Sequence, residues 1–436
     1  MCALPADIVS YLSERLEATL PGPMHAILRR AAQLAGEHGW QIYLVGGYLR
    51  DLLLKLPDYD VDVSVVGDAV SLARRLAAEA RASVEVHERF GTATLYPEGV
   101  RGHIDFVTAR HEWYEAPGAL PSVRPGTIYD DLARRDFTIN AMALTVTLEG
   151  VGPLLDPHGG LADLAARLIR VLHDRSFLDD PTRVFRAVKL AVRLDFTIEP
   201  HTLDLLKQAV HEGALHTVSV DRITNELLLI MREQRAARIL ATLRELAVLR
   251  AIHPDLDWPY PPQALESPPA VSSLAKLTPQ QRQSTFLALL GAQYPPRQAE
   301  QVARYLRLAG PHIRLVRDAA RLAELQPRLA APDIKPSDVY GLLKGLDPRA
   351  LKACLRLPLW PENSAAWQRV RQYLEELRYV RPELDGTYLR ALGLPPGPVY
   401  RRILGALQAA KLDGLLPTRE HEERFVAHWL AGHRDK

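Results

Sequence analysis

The feature that most constrains this chain is an apolar strand that runs into a glycine pair and is followed by two alternating carboxylates. The strand ends at Val45, the pair is Gly46 and Gly47, and the carboxylates are Asp60 and Asp62. A two-residue period places both carboxylates on one face of a second strand, where they repel each other unless a cation lies between them. A glycine turn exposes backbone N–H groups, which suit a triphosphate.

Together, the glycine turn and the paired carboxylates predict a two-metal nucleotidyl-transfer site. Hard divalent cations with oxygen ligands and phosphate partners, Mg²⁺ above all, fit such a carboxylate pair. Each piece alone is common: most Asp-x-Asp pairs are solvated strand edges or turn residues, and most Gly-Gly pairs are ordinary turns. The joint spacing, with Arg50 and Asp51 between the two pieces, favours the catalytic interpretation.

The composition is that of a soluble globular protein with several domains. The chain has 436 residues, which exceeds one hydrophobic core, and 47% of them are apolar. Its two cysteines, Cys2 and Cys354, cannot form a disulfide framework, which favours a reducing compartment. We see no membrane-spanning or signal-peptide pattern, so we expect a cytoplasmic protein with no membrane partner. Because the net charge is only +2, any RNA-binding surface must be a local patch.

The pattern of apolar residues predicts a small α/β part followed by a long helical part. Short strands are expected over 41–46, 60–66, 84–87, 92–96 and 103–107. Helices are expected over 6–38, broken by a Pro-Gly-Pro sequence at 21–23, and over 69–82, 161–167, 181–194, 202–212, 220–233 and 236–246. The segment 108–127 has no clean period and is expected to be a loop, either mobile or an ordinary surface loop.

Further motifs follow the glycine turn in a fixed order. They are RFGT at 89–92, HID at 103–105, DLARRDFTINAM at 131–142, DPHGGLADL at 156–164, DDPTRVFRAVK at 179–189 and VDRITNEL at 220–227. With the first motif, this series resembles the class II nucleotidyltransferases. That family contains bacterial tRNA CCA-adding enzymes, their CC-adding and A-adding relatives, and bacterial poly(A) polymerases. The resemblance is strong over about residues 30–235, is weaker through the middle, and returns at 393–398 and 410–414.

The resemblance implies a fold class and a division into domains. The expected fold is an α/β nucleotidyltransferase head, a small mixed sheet with flanking helices, followed by an extended all-α neck, body and tail. The expected bounds are 1–150 for the catalytic head and 151–235 for the neck with the nucleobase-recognition motif. The body covers 236–330, and the tail, which would bind the tRNA elbow, covers 331–436.

The resemblance also implies roles for the residues of the first motifs. Asp60 and Asp62 would be catalytic and hold Mg²⁺, and Asp105 is either a third metal neighbour or a structural hydrogen-bonding residue. The residues expected to bind the triphosphate and ribose are Gly46, Gly47, Arg50, Arg135 and Asn140. Arg50 has a simpler alternative as the ion-pair partner of Asp51, and Asp136 is expected to orient Arg135 or to cap a helix.

The later motifs would recognise the nucleobase. Asp180, Arg183 and Arg186 are the expected nucleobase-binding residues, with Lys189 beside them. An Asp acceptor beside an Arg donor matches the Watson–Crick edges of cytosine and adenine and opposes those of guanine and uracil. The alternative for Asp180 is a helix N-cap before Pro181. The resemblance implies that Arg222 and Glu226 brace the nucleobase-recognition helix, and their alternative is an ordinary i, i+4 salt bridge.

The predicted activity is template-independent addition of CMP, AMP or both to the 3′ end of tRNA, which builds or repairs CCA. The expected partners are tRNA, through its acceptor stem and elbow, with CTP, ATP or both, and the expected cofactor is Mg²⁺. Two alternatives are a poly(A) polymerase with the same head and a non-catalytic helical RNA-binding protein. The sequence leaves open whether the enzyme adds CCA, CC or A, and whether it is a monomer or a homodimer.

Overall fold

The computed structural model describes residues 7–57, 59–260, 274, 276–356 and 360–432. The chain divides into two compact units. The first comprises Met1–Ile223 and Glu245–Pro254, and the second comprises Thr224–Arg244 and Asp255–Lys436. Cys2 and the predicted helix start at residue 6 lie outside the described residues, and Cys354 is a buried free thiol.

A seven-stranded mixed sheet with the strand order β3-β4-β5-β2-β1-β8-β9 organises the first unit. Its strands are β1 Gln41–Val45, β2 Asp60–Val66, β3 Ala82–His87, β4 Thr92–Pro97, β5 His103–Thr108, β8 Ala143–Thr147 and β9 Gly150–Leu155. All five predicted strands are confirmed, and β8 and β9 were missed. In β9 two glycines and Pro153 hide the strand signal, and the edge position of the strand tolerates that proline.

The two faces of the sheet differ in polarity. Leu44, Val63 and Phe106 are aligned across β1, β2 and β5 on one face and are fully buried. Helices α2 (Gly22–Glu37) and α4 (Ala69–Glu79) pack on the sheet. The opposite face carries the predicted catalytic carboxylates, because successive strand residues point to opposite sides. The same alternation that buries the apolar residues therefore presents Asp60 and Asp62 on the other face.

The segment after β5 is a hairpin and not the loop that we expected. Strands β6 (Arg110–Trp113) and β7 (Ser122–Pro125) pair antiparallel, from Arg110 opposite Pro125 to Trp113 opposite Ser122. Their residues are mostly polar or charged, so the pair has no apolar face from which to recognise a strand. The loop prediction failed because the two strands are defined by their antiparallel backbone pairing, which a hydrophobic period does not reveal here.

Past the sheet, the described chain is almost entirely helical, as predicted. The helices of the first unit and its border are α1 Ile8–Thr19, α3 Gly46–Leu53, α5 Ile128–Ala133, α6 Gly160–Ala166, α7 Ser176–Asp179, α8 Arg183–Leu194, α9 Pro200–His211, α10 Val220–Ile230, α11 Ala236–Glu245 and α12 Val248–Ile252. The exceptions are two-residue strands, β10 (Leu168–Ile169) and β11 (Thr197–Ile198), which pair in parallel. Helix α8 begins two residues later than predicted, with Thr182 as its N-cap.

The other described residues of the second unit form further helices. They are Pro279–Ala292, Pro296–Tyr305, Gly310–Leu329, Pro336–Leu343, Pro348–Cys354, Ala365–Glu375, Gly386–Ala391, Pro398–Leu412 and Arg419–Ala431. One hydrophobic cluster forms around Leu322, Val339 and Val370, and a second around Leu389 and Ile403. In the part of the chain that the structure describes, we find no helix that combines the length and hydropathy needed to span a bilayer.

Candidate active site

A cleft of about 590 Å³ lies over the polar sheet face in the first unit. Ten of the predicted site residues line it: Gly46, Gly47, Arg50, Asp62, Arg135, Asn140, Asp180, Arg183, Arg186 and Lys189. Its lining holds eight basic and four acidic side chains, and this excess of positive charge suits a polyphosphate. The structure therefore brings together the glycine turn, one strand carboxylate and the nucleobase-recognition motif, which are far apart in the sequence.

The glycine turn allows charged groups to approach the backbone at the base of the cleft. Gly46 has a φ of 70°, and a Cβ there would lie 2.8 Å from Arg135 Nη1 and 2.9 Å from Asp62 Oδ2. Helix α3 starts at Gly46, and its N-cap residue, Val45, makes no side-chain capping bond. The first-turn N–H groups of α3 and the Arg135 guanidinium are thus suited to an anion beside the Asp62 carboxylate.

The strand carboxylates lie in register with β5. Parallel pairing sets Asp62 opposite Asp105 and Asp60 opposite His103. His103 Nδ1 lies 2.9 Å from Asp60 Oδ1, and its Nε2 lies 3.3 Å from Asp105 Oδ2. The hydroxyl of Thr94 donates to Asp105 Oδ1 at 2.5 Å. Because both oxygens of Asp105 have close partners on the sheet face, its surroundings favour the structural hydrogen-bonding role over metal ligation.

Asp60 and Asp62 supply the hard oxygen donors that Mg²⁺ prefers. The described residues contain no cluster of three or more His, Cys, Asp or Glu side chains arranged to hold a metal ion. A pair of carboxylates suits Mg²⁺, which is commonly bound through one or two carboxylates, with substrate phosphates and water completing its coordination. The residues present are therefore compatible with a metal that binds together with the nucleotide.

A chain of buried and partly buried polar contacts connects α3 to α8. Asp136 accepts hydrogen bonds from Arg186 Nε and Nη2 at 2.8 and 2.6 Å and from Asn140 Nδ2 at 2.9 Å. Arg50 donates to Asn140 Oδ1 at 2.7 Å and to Asp51 at 2.8 Å. The chain holds Asn140 and Arg186, two predicted substrate-binding residues, in fixed orientations. Asp136 thus orients these two residues, and it is Asp131 that pairs with Arg135, at 2.8 Å.

Asp180 is positioned by three donor groups, from two residues, on one of its oxygens. Its Oδ1 accepts from Thr182 N and Oγ1 and, at 2.9 Å, from Arg222 Nη2. Among the described residues, Oδ2 of Asp180 makes no hydrogen bond. Arg222 also donates to the carbonyl of Gly118 at 3.2 Å, and Glu226 lies one turn further along α10. Arg222 thus braces Asp180 directly, and Asp180 stabilises the turn before α8 without being its N-cap.

Arg183 lies beside Asp180 in the cleft and is 5% exposed. Its Nη1 donates to Ser176 Oγ at 2.6 Å and its Nη2 donates to the carbonyl of Arg134 at 2.8 Å. A guanidinium carries five N–H donors, so these two contacts fix its plane and leave donors for a ligand. The cleft thus contains a fixed donor group from Arg183 and a fixed acceptor from Asp180.

Several residues of the cleft escaped the sequence analysis. They are Arg110, Glu112, Tyr114 and Pro121 of the hairpin region and Arg134. Arg193 also lines the cleft, as its position seven residues after Arg186, and therefore on the same side of α8, predicts. The hairpin residues have no sequence signal, since they reach the cleft through the packing of a segment that lacks a hydrophobic period.

The charge of Asp136 should contribute measurably to stability. Burial acts to raise the pKa of Asp136, but the Arg186 guanidinium and the Asn140 amide outweigh it and lower the pKa to about 2. A lowered carboxyl pKa stabilises the fold above the unfolded value, near 4, and that contribution is lost as the pH falls towards the folded value. We therefore expect Asp136→Asn to reduce the free energy of unfolding by about 2 kcal/mol at pH 7.

Urea unfolding monitored by circular dichroism between pH 7 and pH 3 measures this effect. The difference between wild type and Asp136→Asn should be constant down to about pH 4 and then shrink. The exposed Asp204 on α9 provides the control, and Asp204→Asn should change stability by less than about 0.5 kcal/mol. A difference for Asp136→Asn that stays constant through pH 3 would show that lost packing, rather than charge, causes the destabilisation.

The mixed sheet, the glycine turn and the paired aspartates define a nucleotidyltransferase head, and comparison with known proteins agrees. Residues 42–170 match the family model of the Poly A polymerase head domain. Residues 195–258 match the model described as a probable RNA and SrmB-binding site of polymerase A. A Thermotoga maritima CCA-adding enzyme complexed with tRNA is 28% identical, with a TM-score of 0.72 over 96% of this chain and 98% of that one.

Three curated relatives are all tRNA nucleotidyltransferases. An A-adding tRNA nucleotidyltransferase of Halalkalibacterium halodurans is 30% identical over 97% of each chain. A CC-adding enzyme of Deinococcus radiodurans is 33% identical over 89% of this chain and 90% of the relative. An A-adding enzyme of Geobacter sulfurreducens is 37% identical over 93% of this chain, which spans only 47% of that relative's length. The chain belongs to the family of bacterial tRNA nucleotidyltransferases.

Proposed function

We propose that this protein is a template-independent tRNA nucleotidyltransferase that adds CMP, AMP or both to the tRNA 3′ end and so builds or repairs CCA. The observation that carries the proposal is the single cleft that unites Gly46, Asp62, Asp180 and Arg183. In the reaction, the 3′-oxygen of the RNA bonds to the α-phosphorus of the nucleotide. The bond from that phosphorus to pyrophosphate breaks, and the hydroxyl proton is lost.

The residues around the glycine turn would bind the triphosphate. The first-turn N–H groups of α3 and the guanidinium of Arg135 converge near Asp62, and a guanidinium offers a planar fork to phosphate oxygens. Asn140 would bond the ribose 2′-hydroxyl, in an orientation set by Arg50 and Asp136. Arg50 would therefore act mainly by positioning Asn140, in addition to its ion pair with Asp51.

Asp60 and Asp62 would hold Mg²⁺. When bound with the nucleotide, the metal would lower the pKa of the attacking 3′-hydroxyl and would stabilise the negative charge on the phosphates. Asp105, with both oxygens engaged by Thr94 and His103, would keep the strand face in register. Mg²⁺ as the particular cation is part of this proposal, and a cytoplasmic location and the oligomeric state stay predictions.

Asp180 and Arg183 would select the base. Cytosine and adenine each present an amino donor beside a ring-nitrogen acceptor, which match the Asp180 oxygen and the Arg183 N–H groups. Uracil and guanine present a carbonyl and an N–H at the same places, so a carboxylate would face a carbonyl and a guanidinium would face a donor. Arg186 and Lys189 line the cleft beside this pair, where they would contact the nucleotide.

A poly(A) polymerase is the alternative function that shares this chemistry, and the matched head model carries that description. Its product differs, because a poly(A) polymerase extends RNA with many AMP residues from ATP alone. A non-catalytic RNA-binding protein is disfavoured, because the two aspartates and the Asp180–Arg183 pair are present. Contact of the region 331–436 with the tRNA elbow is part of the same proposal and follows from the family membership.

The deciding experiment supplies the purified protein with three kinds of tRNA. Their 3′ ends lack all of CCA, lack part of it, or lack only the final A. CTP and ATP are added singly and together with Mg²⁺, and the product ends are sequenced. Addition that stops at CC, at A or at CCA identifies the activity, and the acceptor that is used identifies the subtype. Long AMP tails would establish the polymerase instead, and no incorporation into any acceptor would refute the proposal.

A further inference from the structure

The polar face of the sheet continues past the cleft, from β2 across β5 and β4. One row of side chains runs from Asp60 to His103 and on to Tyr96, because Leu95 pairs with Ile104 and sets Tyr96 beside His103. This row is open to solvent: the Tyr96 residue is 42% exposed and the Asp60 side chain is 61% exposed. A large aromatic side chain thus lies exposed at the end of a row that begins with a catalytic carboxylate.

The His103 ring is fixed within this row. Its two nitrogens lie 2.9 Å from Asp60 and 3.3 Å from Asp105, so the ring is held between two strand carboxylates. The Tyr96 and His103 ring centroids are 5.7 Å apart, with 39° between the ring planes. The two rings form a continuous, pre-organised aromatic surface next to Asp60. We call Tyr96 and His103 the ring surface.

We propose that the ring surface stacks against the terminal base of the acceptor RNA. This inference rests on the proposed function and adds to it a binding site for the nucleophile. The strand order places β2 between β1 and β5. The glycine turn that follows β1, with Arg135, lies on one side of Asp62, while β5 and β4 lie on the other.

The geometry of phosphoryl transfer sets the direction of approach. The attacking and leaving oxygens must lie roughly in line through the α-phosphorus. If the pyrophosphate leaves towards the glycine turn and Arg135, the 3′-hydroxyl must arrive from the side of β5. A nucleotide whose 3′-oxygen reaches Asp60 and Asp62 from that side lies over His103 and Tyr96.

The chemistry of the ring surface suits a base rather than a phosphate. Asp60, Asp62 and Asp105 make this part of the face acidic, which disfavours contact with the RNA backbone. Aromatic stacking is indifferent to base identity, because every base has a π-face. That tolerance is required, since the terminal base of the acceptor changes after each addition.

The test uses short acceptor-stem minihelices, whose last nucleotide carries either its base or an abasic sugar. With the normal minihelix, Tyr96→Ala should raise the KM for the acceptor by roughly 5- to 150-fold, the effect of losing one stacked base. The KM for the nucleoside triphosphate should stay at the wild-type value. Tyr96→Phe, which keeps the ring, should behave as wild type. The control Leu148→Ala truncates an exposed side chain at the β8–β9 turn, on the far side of β1 from β4, and should also behave as wild type.

The abasic minihelix separates stacking from a general structural effect. It should impair the wild type by about the same factor as Tyr96→Ala does, and should impair Tyr96→Ala no further. An unchanged acceptor KM in Tyr96→Ala, or two penalties that multiply, would overturn the stacking proposal while leaving the proposed function intact. A wild-type enzyme that extends neither the minihelix nor tRNA would refute the proposed function itself.

Discussion

Asp60→Ala and Asp62→Ala should each abolish nucleotide incorporation while leaving tRNA affinity nearly unchanged. Loss of one metal-binding carboxylate removes several kcal/mol of transition-state stabilisation, which corresponds to a rate loss on the order of 10³-fold or more. Neither carboxylate attracts RNA, so the dissociation constant for tRNA should stay within about threefold of wild type. Single-turnover incorporation with Mg²⁺ and filter binding measure the two quantities.

Glu85→Ala provides the matched control for this experiment. Glu85 is a carboxylate on β3. It pairs with Thr94 of β4, which pairs with Asp105 of β5, so Glu85 lies on the same face of the sheet, two strands from Asp105. It is distant enough from the cleft that its removal should leave turnover at the wild-type level. Near wild-type turnover in Asp60→Ala or Asp62→Ala would show that the two-metal assignment is wrong. Equal losses in Glu85→Ala would indicate a general effect of charge on this face.

Asp180→Ala should relax nucleotide selection and not merely slow the reaction. The Oδ1 atom of Asp180 accepts hydrogen bonds from Thr182 and Arg222. These contacts fix the orientation of the carboxylate, and its Oδ2 atom makes no hydrogen bond among the described residues. Loss of one base-recognition partner costs about 1–3 kcal/mol of discrimination by analogy with bidentate base contacts. The ratio of kcat/KM for CTP over UTP, or for ATP over GTP where A is added, should fall roughly 5- to 150-fold.

The competing explanation for Asp180 is stabilisation of the turn that leads into α8, and Glu199 tests it. Glu199 caps α9 by accepting bonds from the backbone N–H and the hydroxyl of Thr202, both at 2.8 Å. Asp180 makes the same pair of contacts with Thr182. Glu199→Ala should therefore lower Tm by about as much as Asp180→Ala does. It should leave nucleotide selectivity unchanged, because Glu199 lies outside the cleft lining. An unchanged selectivity ratio in Asp180→Ala would assign that residue a structural role only.

Local patterns predicted much of the fold. The first five strands and the helices after residue 156 follow from two-residue and 3.6-residue periods, which depend only on neighbours in the sequence. The failures occurred where burial does not alternate. Strand β9 contains Gly152 and Pro153, and the β6–β7 hairpin is polar on both faces, so neither carries a hydrophobic period.

The kind of chemistry could be predicted from the sequence alone, because a glycine turn and Asp60 with Asp62 lie within 17 residues of one another and need no distant partner. The side chains that orient these residues could be identified only from the packing of the fold. Arg186 reaches Asp136 over 50 positions, Arg222 reaches Asp180 over 42, and Arg193 reaches Asp51 over 142. Such pairs form when separate elements pack together, and their geometry depends on strand order and helix placement, which no local period encodes. The ring surface beside Asp60 is of the same kind, since the register of β4 against β5 brings Tyr96 to His103.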